Sequence, residues 1–150
     1  MLHKAGNCIW PGAHVMIQKM IIFLLRNKLL ITSLLVLATA GILFITLVPS
    51  EHLGESSIYQ YDKLGHFLIF FFWTLVFGFY TFSKNLTNTN LLIIFSIAAS
   101  FGISIEILQE LLPYGRNGNI YDALADIAGS LLAIIFLYII KNRYIPEVLK

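Results

Sequence analysis

The sequence predicts an all-α integral membrane protein, a four-helix transmembrane bundle with both termini in the cytoplasm. Three observations lead there. Of 150 residues, 58% are hydrophobic and only 12% charged, whereas soluble domains run at about 45–50% apolar and about 25% charged. Four apolar runs each approach the roughly 20 residues a helix needs to cross a bilayer core. Basic residues flank those runs on alternate sides, the asymmetry that orients membrane helices. The same composition excludes other classes. The length fits a single membrane domain with no separate catalytic domain. One cysteine, Cys8, cannot make an internal disulfide. The net charge of +2 is scattered, so no nucleic-acid partner is expected.

The elements follow in chain order. Residues 1–28 read as a cytoplasmic leader. Its first 20 positions, with His3, Lys4, Asn7, Cys8, Trp10, Pro11, Gly12 and His14, show no helical period. Met16 or Met20 is a plausible true start, which would make the leader an artefact of gene calling. The first span, 29–48, holds 20 residues without a charge. It is too long for a secretory signal core and ends in Thr46-Leu47-Val48, which is no cleavage site. The second span, 64–82, is broken only by His66 and carries nine aromatics between Phe67 and Phe82. Those rings read as packing and lipid-facing groups, since nothing polar converges on them. The third span, 91–112, carries Glu106, Gln109 and Glu110 near its end, and the fourth, 120–140, carries Asp122 and Asp126 near its start. Residues 141–150 form a cytoplasmic tail, and 29–140 form the membrane domain, with the lipid bilayer as its surroundings.

Lys19, Arg26 and Lys28 precede the first span, Lys84 lies in the second connection, and Lys141, Arg143 and Lys150 follow the fourth. These positions are therefore expected inside and the first and third connections outside. Tyr59, Tyr61, Tyr114 and Tyr121 would then line the outer interface.

Ionisable groups within spans cost about 2.5–3.5 kcal/mol each at the bilayer centre, and they usually face a bundle interior. Glu106 and Asp126 each lie six residues inside their spans, about 9 Å at 1.5 Å per residue. Asp62 and Lys63 border the second span, one turn before His66. Residues three or four apart share a helix face, which aligns Asp62 and Lys63 with His66, Glu106 with Gln109 and Glu110, and Asp122 with Asp126. Small residues beside them permit close helix approach: Ala98 and Gly102 on the third span, and Ala125, Gly129 and Ala133 on the fourth. Three helices are thus expected to meet in one polar cup opening outward. Singly, each member has a plainer explanation. His66 could be a helix-end residue, Lys63 could snorkel, Asp122 could complement a helix dipole, and Glu110 could be solvated. Those explanations do not extend to Glu106 and Asp126 together.

These residues resemble the VanZ-like family. Asp62-Lys63-Leu64-Gly65-His66, then Glu106-Ile107-Leu108-Gln109, then Arg116, then Asp122-Ala123-Leu124-Ala125-Asp126-Ile127-Ala128-Gly129 match its order and spacing across residues 60 to 140. The resemblance implies a small multi-pass protein of the bacterial cytoplasmic membrane, in a family whose founding member is linked to teicoplanin resistance. It marks Asp62, Lys63, His66, Glu106, Gln109, Arg116, Asp122, Asp126 and Gly129 as signature positions. Many members carry Asn where Asp126 stands here, so this chain holds an extra negative charge that favours a bound cation or proton.

Three functions are open at this stage. The preferred one is a non-enzymatic envelope protein whose cup binds a small headgroup, glycopeptide or cell-wall precursor group. Arg116 and Lys63 would hold phosphate or carboxylate, and Glu106, Gln109 and Asp122 would hold hydroxyl or amine groups. The second is an intramembrane enzyme acting on a lipid-linked phosphate. His66, Glu106, Asp122 and Asp126 offer an imidazole and three carboxylates, suited to acid–base work or a divalent cation. The metal signal is weak, because no H-E-x-x-H and no Cys/His ligand pair is present. The third is a proton or cation pathway, against which all the acids within the spans lie at one end.

Overall fold

The computed structural model describes residues 11–47, 62–86, 88–112 and 117–144. They form α1 (Pro11–Arg26), α2 (Lys28–Leu47), α3 (Asp62–Lys84), α4 (Leu91–Leu111) and α5 (Ile120–Arg143), with no strand among the described residues. The last four are long and apolar enough to cross a membrane. Their ends fall within three residues of the limits read from the apolar runs, because loss of apolar character and helix capping coincide in this sequence. At the start of α4 the Leu92 N–H donates to Asn90 Oδ1 at 2.9 Å. At the start of α5 the Tyr121 N–H donates to Asn119 Oδ1 at 3.0 Å. Each cap satisfies an otherwise orphaned donor and contributes about 1 kcal/mol.

One expectation needs correction. The leader is not irregular throughout: from Pro11 onward it is the helix α1, separated from α2 by Asn27 alone. Pro11 suits a first helical turn, where no N–H is required. The run from Met16 to Leu25 supplies an apolar face that the polar residues before it obscure. Ile21 is fully buried, and α1 packs on α3 and α2. Asn27 continues the backbone ladder, its N–H donating to Phe23 O and its own carbonyl accepting from Ile31. Cys8 and the rest of residues 1–10 lie outside the described residues.

The bundle is built round α3, which packs most extensively on α5 and also touches α1, α2 and α4. Its aromatics do structural work, as the sequence suggested. Phe70 and Trp73 pack with Phe101 of α4 and join Ile42, Ala98 and Ile105 in a buried cluster. The Trp73 indole N–H donates to Thr39 Oγ1 of α2 at 2.9 Å. A second cluster at the other end of α3 gathers Phe82 and Leu137 with Leu25 of α1. Gly129 lets α5 lie against the α3 backbone, since a Cβ there would sit 2.1 Å from Phe67 O. Ala133, next in the row of small residues, is fully buried. Ala125 is only partly buried. Outward faces carry leucines and isoleucines such as Leu29, Leu92 and Ile120, the composition expected toward lipid.

Candidate functional site

Successive spans run antiparallel, so the start of α3, the end of α4 and the start of α5 share one end of the bundle. That end holds the polar residues. His66 comes from the second turn of α3, Asp126 from the second turn of α5, and Glu106 from the last turns of α4. The side chains are 16%, 0% and 7% exposed respectively. His66 Nδ1 lies 3.0 Å from Asp126 Oδ1 and 3.6 Å from Glu106 Oε1. One imidazole nitrogen is thus hydrogen-bonded to the carboxylate of Asp126 and lies within ion-pair distance of that of Glu106, the two acids coming from two other helices. Each of the three offers one atom within 4.8 Å of the others.

The backbone fixes the acids. Glu106 Oε2 accepts the Asn119 N–H at 2.9 Å, which leaves Oε1 turned toward His66. That N–H belongs to the N-terminal end of α5, where the helix dipole favours negative charge. Gly102 stands opposite Asp126: a Cβ there would lie 2.8 Å from Asp126 Cβ and 3.1 Å from its Oδ2. Gly118 passes close beneath α4, where a Cβ would meet Glu106 O at 2.5 Å. Its N–H donates to Glu110 Oε2 at 2.9 Å, so Glu110, exposed as expected for a helix-end residue, ties the α4–α5 connection to α4. These contacts hold Glu106 and Asp126 in place despite the cost of burying them.

One turn closer to the helix ends, Lys63 Nζ lies 3.5 Å from Asp122 Oδ1. Lys63 is more than half exposed and Asp122 buried, so the ammonium covers the site from outside. Gln109 is buried on the same face of α4 as Glu106. Asp62 opens α3, but its side chain, like Arg116, Tyr59, Tyr61 and Tyr114, lies outside the described residues. Tyr121 is exposed. Of the expected cup, His66, Glu106 and Asp126 thus form the centre and Lys63 with Asp122 an outer layer. Helix rotation sets that division, and spacing alone does not reveal it.

Two groups were missed from the sequence. The Asn119 backbone N–H is one. Asn119 caps α5 through its side chain, but a backbone donor leaves no mark in a sequence. The other is the buried pair Thr74 and Ser130, whose hydroxyls hydrogen-bond at 3.1 Å between α3 and α5. Ser130 follows Asp126 by one turn, so an i, i+4 reading of polar residues extended beyond the acids would have found it.

Chemically, the arrangement is suited to exchanging a proton between imidazole and carboxylate, holding an ammonium group, or ligating a metal ion through His66, Glu106 and Asp126. Comparison of the chain with protein-family models, with curated proteins and with solved structures finds no match in any of the three.

Proposed function

We propose that this chain is a VanZ-like protein of the bacterial cytoplasmic membrane whose buried polar site, in the outer half of the bilayer, binds the polar end of a small envelope molecule. A lipid headgroup, a cell-wall precursor group or a glycopeptide fits that description, and a role in resistance to teicoplanin-type glycopeptides follows from the family resemblance. The observation that carries the proposal is the meeting of His66, Glu106 and Asp126 from three separate helices. Ionisable groups in spans are costly and usually functional, and packing alone gives three helices no reason to converge buried ionisable groups. The outward orientation rests on Arg26, Lys28, Lys84, Lys141 and Arg143, which lie at the helix ends opposite the site. The short α4–α5 connection beside the site, residues 112–119, favours a small bound group.

The meeting of His66 with two carboxylates also favours a second reading, an intramembrane acid–base or metal-assisted enzyme acting on a lipid-linked phosphate. A proton or cation pathway fits less well. Below the site, Leu137 fills the space against Gly78, and Phe82 closes the same layer, so apolar packing separates the acids from the basic end.

Glu106→Gln tests the main reading. Gln preserves volume and still accepts the Asn119 N–H, but carries no charge. The variant is expected to insert and accumulate like the parent, yet to lose the glycopeptide or other envelope phenotype that deletion of the gene exposes. A fully active Glu106→Gln protein at parental expression would reduce the polar site to helix-packing contacts.

A further inference from the structure

We infer that His66, Glu106 and Asp126 form a binding site for one first-row divalent cation of the zinc class. The inference rests on the functional reading of the same site and names the group that its centre holds.

The donor geometry is the first support. His66 Nδ1 lies 3.0 Å from Asp126 Oδ1 and 3.6 Å from Glu106 Oε1. Those two separations bracket the edge of a tetrahedron built on zinc bonds of 2.0–2.1 Å, about 3.3 Å, and all three donors lie within 4.8 Å of one another. Small movements of side chains already in place bring three ligands to one ion. Three protein donors leave a fourth position for water or a ligand group, the pattern of catalytic and ligand-binding zinc sites rather than of closed structural ones. An imidazole among the donors favours zinc-class ions over magnesium or calcium, and calcium takes six to eight oxygens.

Charge is the second. A divalent ion held between Glu106 and Asp126 would balance both carboxylates in a region of low dielectric. The tautomer with its proton on Nδ1 bonds to Asp126, and the tautomer with its proton on Nε2 ligates the ion.

Support from outside the three ligands is independent of them. Glu106 Oε2 is taken by the Asn119 N–H at 2.9 Å, which orients Oε1 as a single ligand, as partners beyond the ligands do at metal sites. Asp122, one turn before Asp126 on the same face of α5, is 5% exposed. Its Oδ1 accepts no hydrogen bond from the described residues and lies 3.5 Å from the Lys63 ammonium. A buried carboxylate one turn from the three ligands adds negative charge at the same end of α5, which favours a cation there.

The test is zinc binding by the full chain in lipid nanodiscs, with free zinc held submicromolar by a chelator buffer and bound metal counted by mass spectrometry. One ion per chain is expected, with cobalt in its place giving the visible absorption of a four-coordinate site. Glu106→Gln and Asp126→Asn should each weaken zinc by at least the roughly 10–100-fold that loss of a mere supporting contact costs. Ser104→Ala, exposed on α4, should bind like the parent. A folded parent chain that takes up no stoichiometric zinc overturns the inference, whatever the variants do. So does a Glu106→Gln/Asp126→Asn double variant with undiminished affinity. The two readings separate cleanly. If the parent binds no ion while Glu106→Gln still abolishes the phenotype, the functional site stands and the metal falls. If the ion binds but Glu106→Gln keeps the phenotype, the metal site stands and the functional reading falls.

Discussion

At Gly129 any other side chain would place a carbon 2.1 Å from the Phe67 carbonyl oxygen and 3.1 Å from the Phe71 nitrogen. Both obstacles are α3 backbone, which cannot swing aside as a side chain can. At Gly41, on α2, a Cβ would meet nothing within 4 Å. The two glycines therefore predict opposite outcomes for one substitution. Gly129→Ala should force α3 and α5 apart and lower stability by about 1–3 kcal/mol, the usual cost of overpacking. Gly41→Ala should be neutral or slightly stabilising, because Ala is the better helix former. Thermal unfolding of both variants in the same detergent checks the pair, and equal melting temperatures would mean that α3 and α5 do not pack this closely. The small residues at positions 102 and 129 were legible as packing positions, because a glycine in a membrane helix has few other uses. Gly118 was not, since glycine in a connection is ordinary and only the carbonyl of Glu106 above it gives it meaning.

Helices differ in how openly the sequence declares them. The four spans are plain because about 20 apolar residues leave a bilayer-crossing chain one backbone solution, the helix with every amide paired internally. α1 is harder to see. It has 16 residues, holds Gln18 and Lys19 within its apolar stretch, and follows a polar segment, so tertiary packing rather than pattern identifies it. Its anchors are specific: Ile21 is 1% exposed, and Leu25 packs on the Phe82–Leu137 cluster. Both lie after Met20. A chain beginning at Met20 should therefore insert and accumulate like the full one. Ile21→Ala in the full chain should cost about 2–5 kcal/mol, the range for emptying a buried isoleucine site. Accumulation in membranes and melting in detergent measure both. A truncation at Met20 that fails to accumulate would show that the first turns of α1 contribute more than their exposed Val15 and Met16 suggest. The same limit on legibility applies to the site. The acids and His66 announce themselves as charges in apolar runs, but which of them meet depends on how α3, α4 and α5 are rotated.

Across the whole molecule, charge and polarity are segregated along the bundle axis. One end carries His66, Glu106, Asp122 and Asp126. The other carries Arg26, Lys28, Lys84, Lys141 and Arg143, where Lys141 donates to Thr89 O at 2.6 Å and ties α5 to the α3–α4 connection. Four crossing helices return the chain to the side where it began. The basic end should face the cytoplasm, which puts the start of α2 and the end of α5 inside and the acidic site in the outer half. α1 decides the remaining terminus. Its 16 residues rise about 24 Å at 1.5 Å each, short of the roughly 30 Å hydrocarbon core, and Lys19 lies in mid-helix. It is expected not to cross, so both termini should be cytoplasmic. Fusions at each end to a reporter that works only inside, and to one that works only outside, read the two termini separately. Cytoplasmic signals from both are the expected result. An outside signal at the N-terminus alone would make α1 a fifth crossing and leave the site where it is. An outside signal at the C-terminus would invert the bundle, turn His66, Glu106 and Asp126 toward the cytoplasm, and remove an extracellular envelope ligand from consideration.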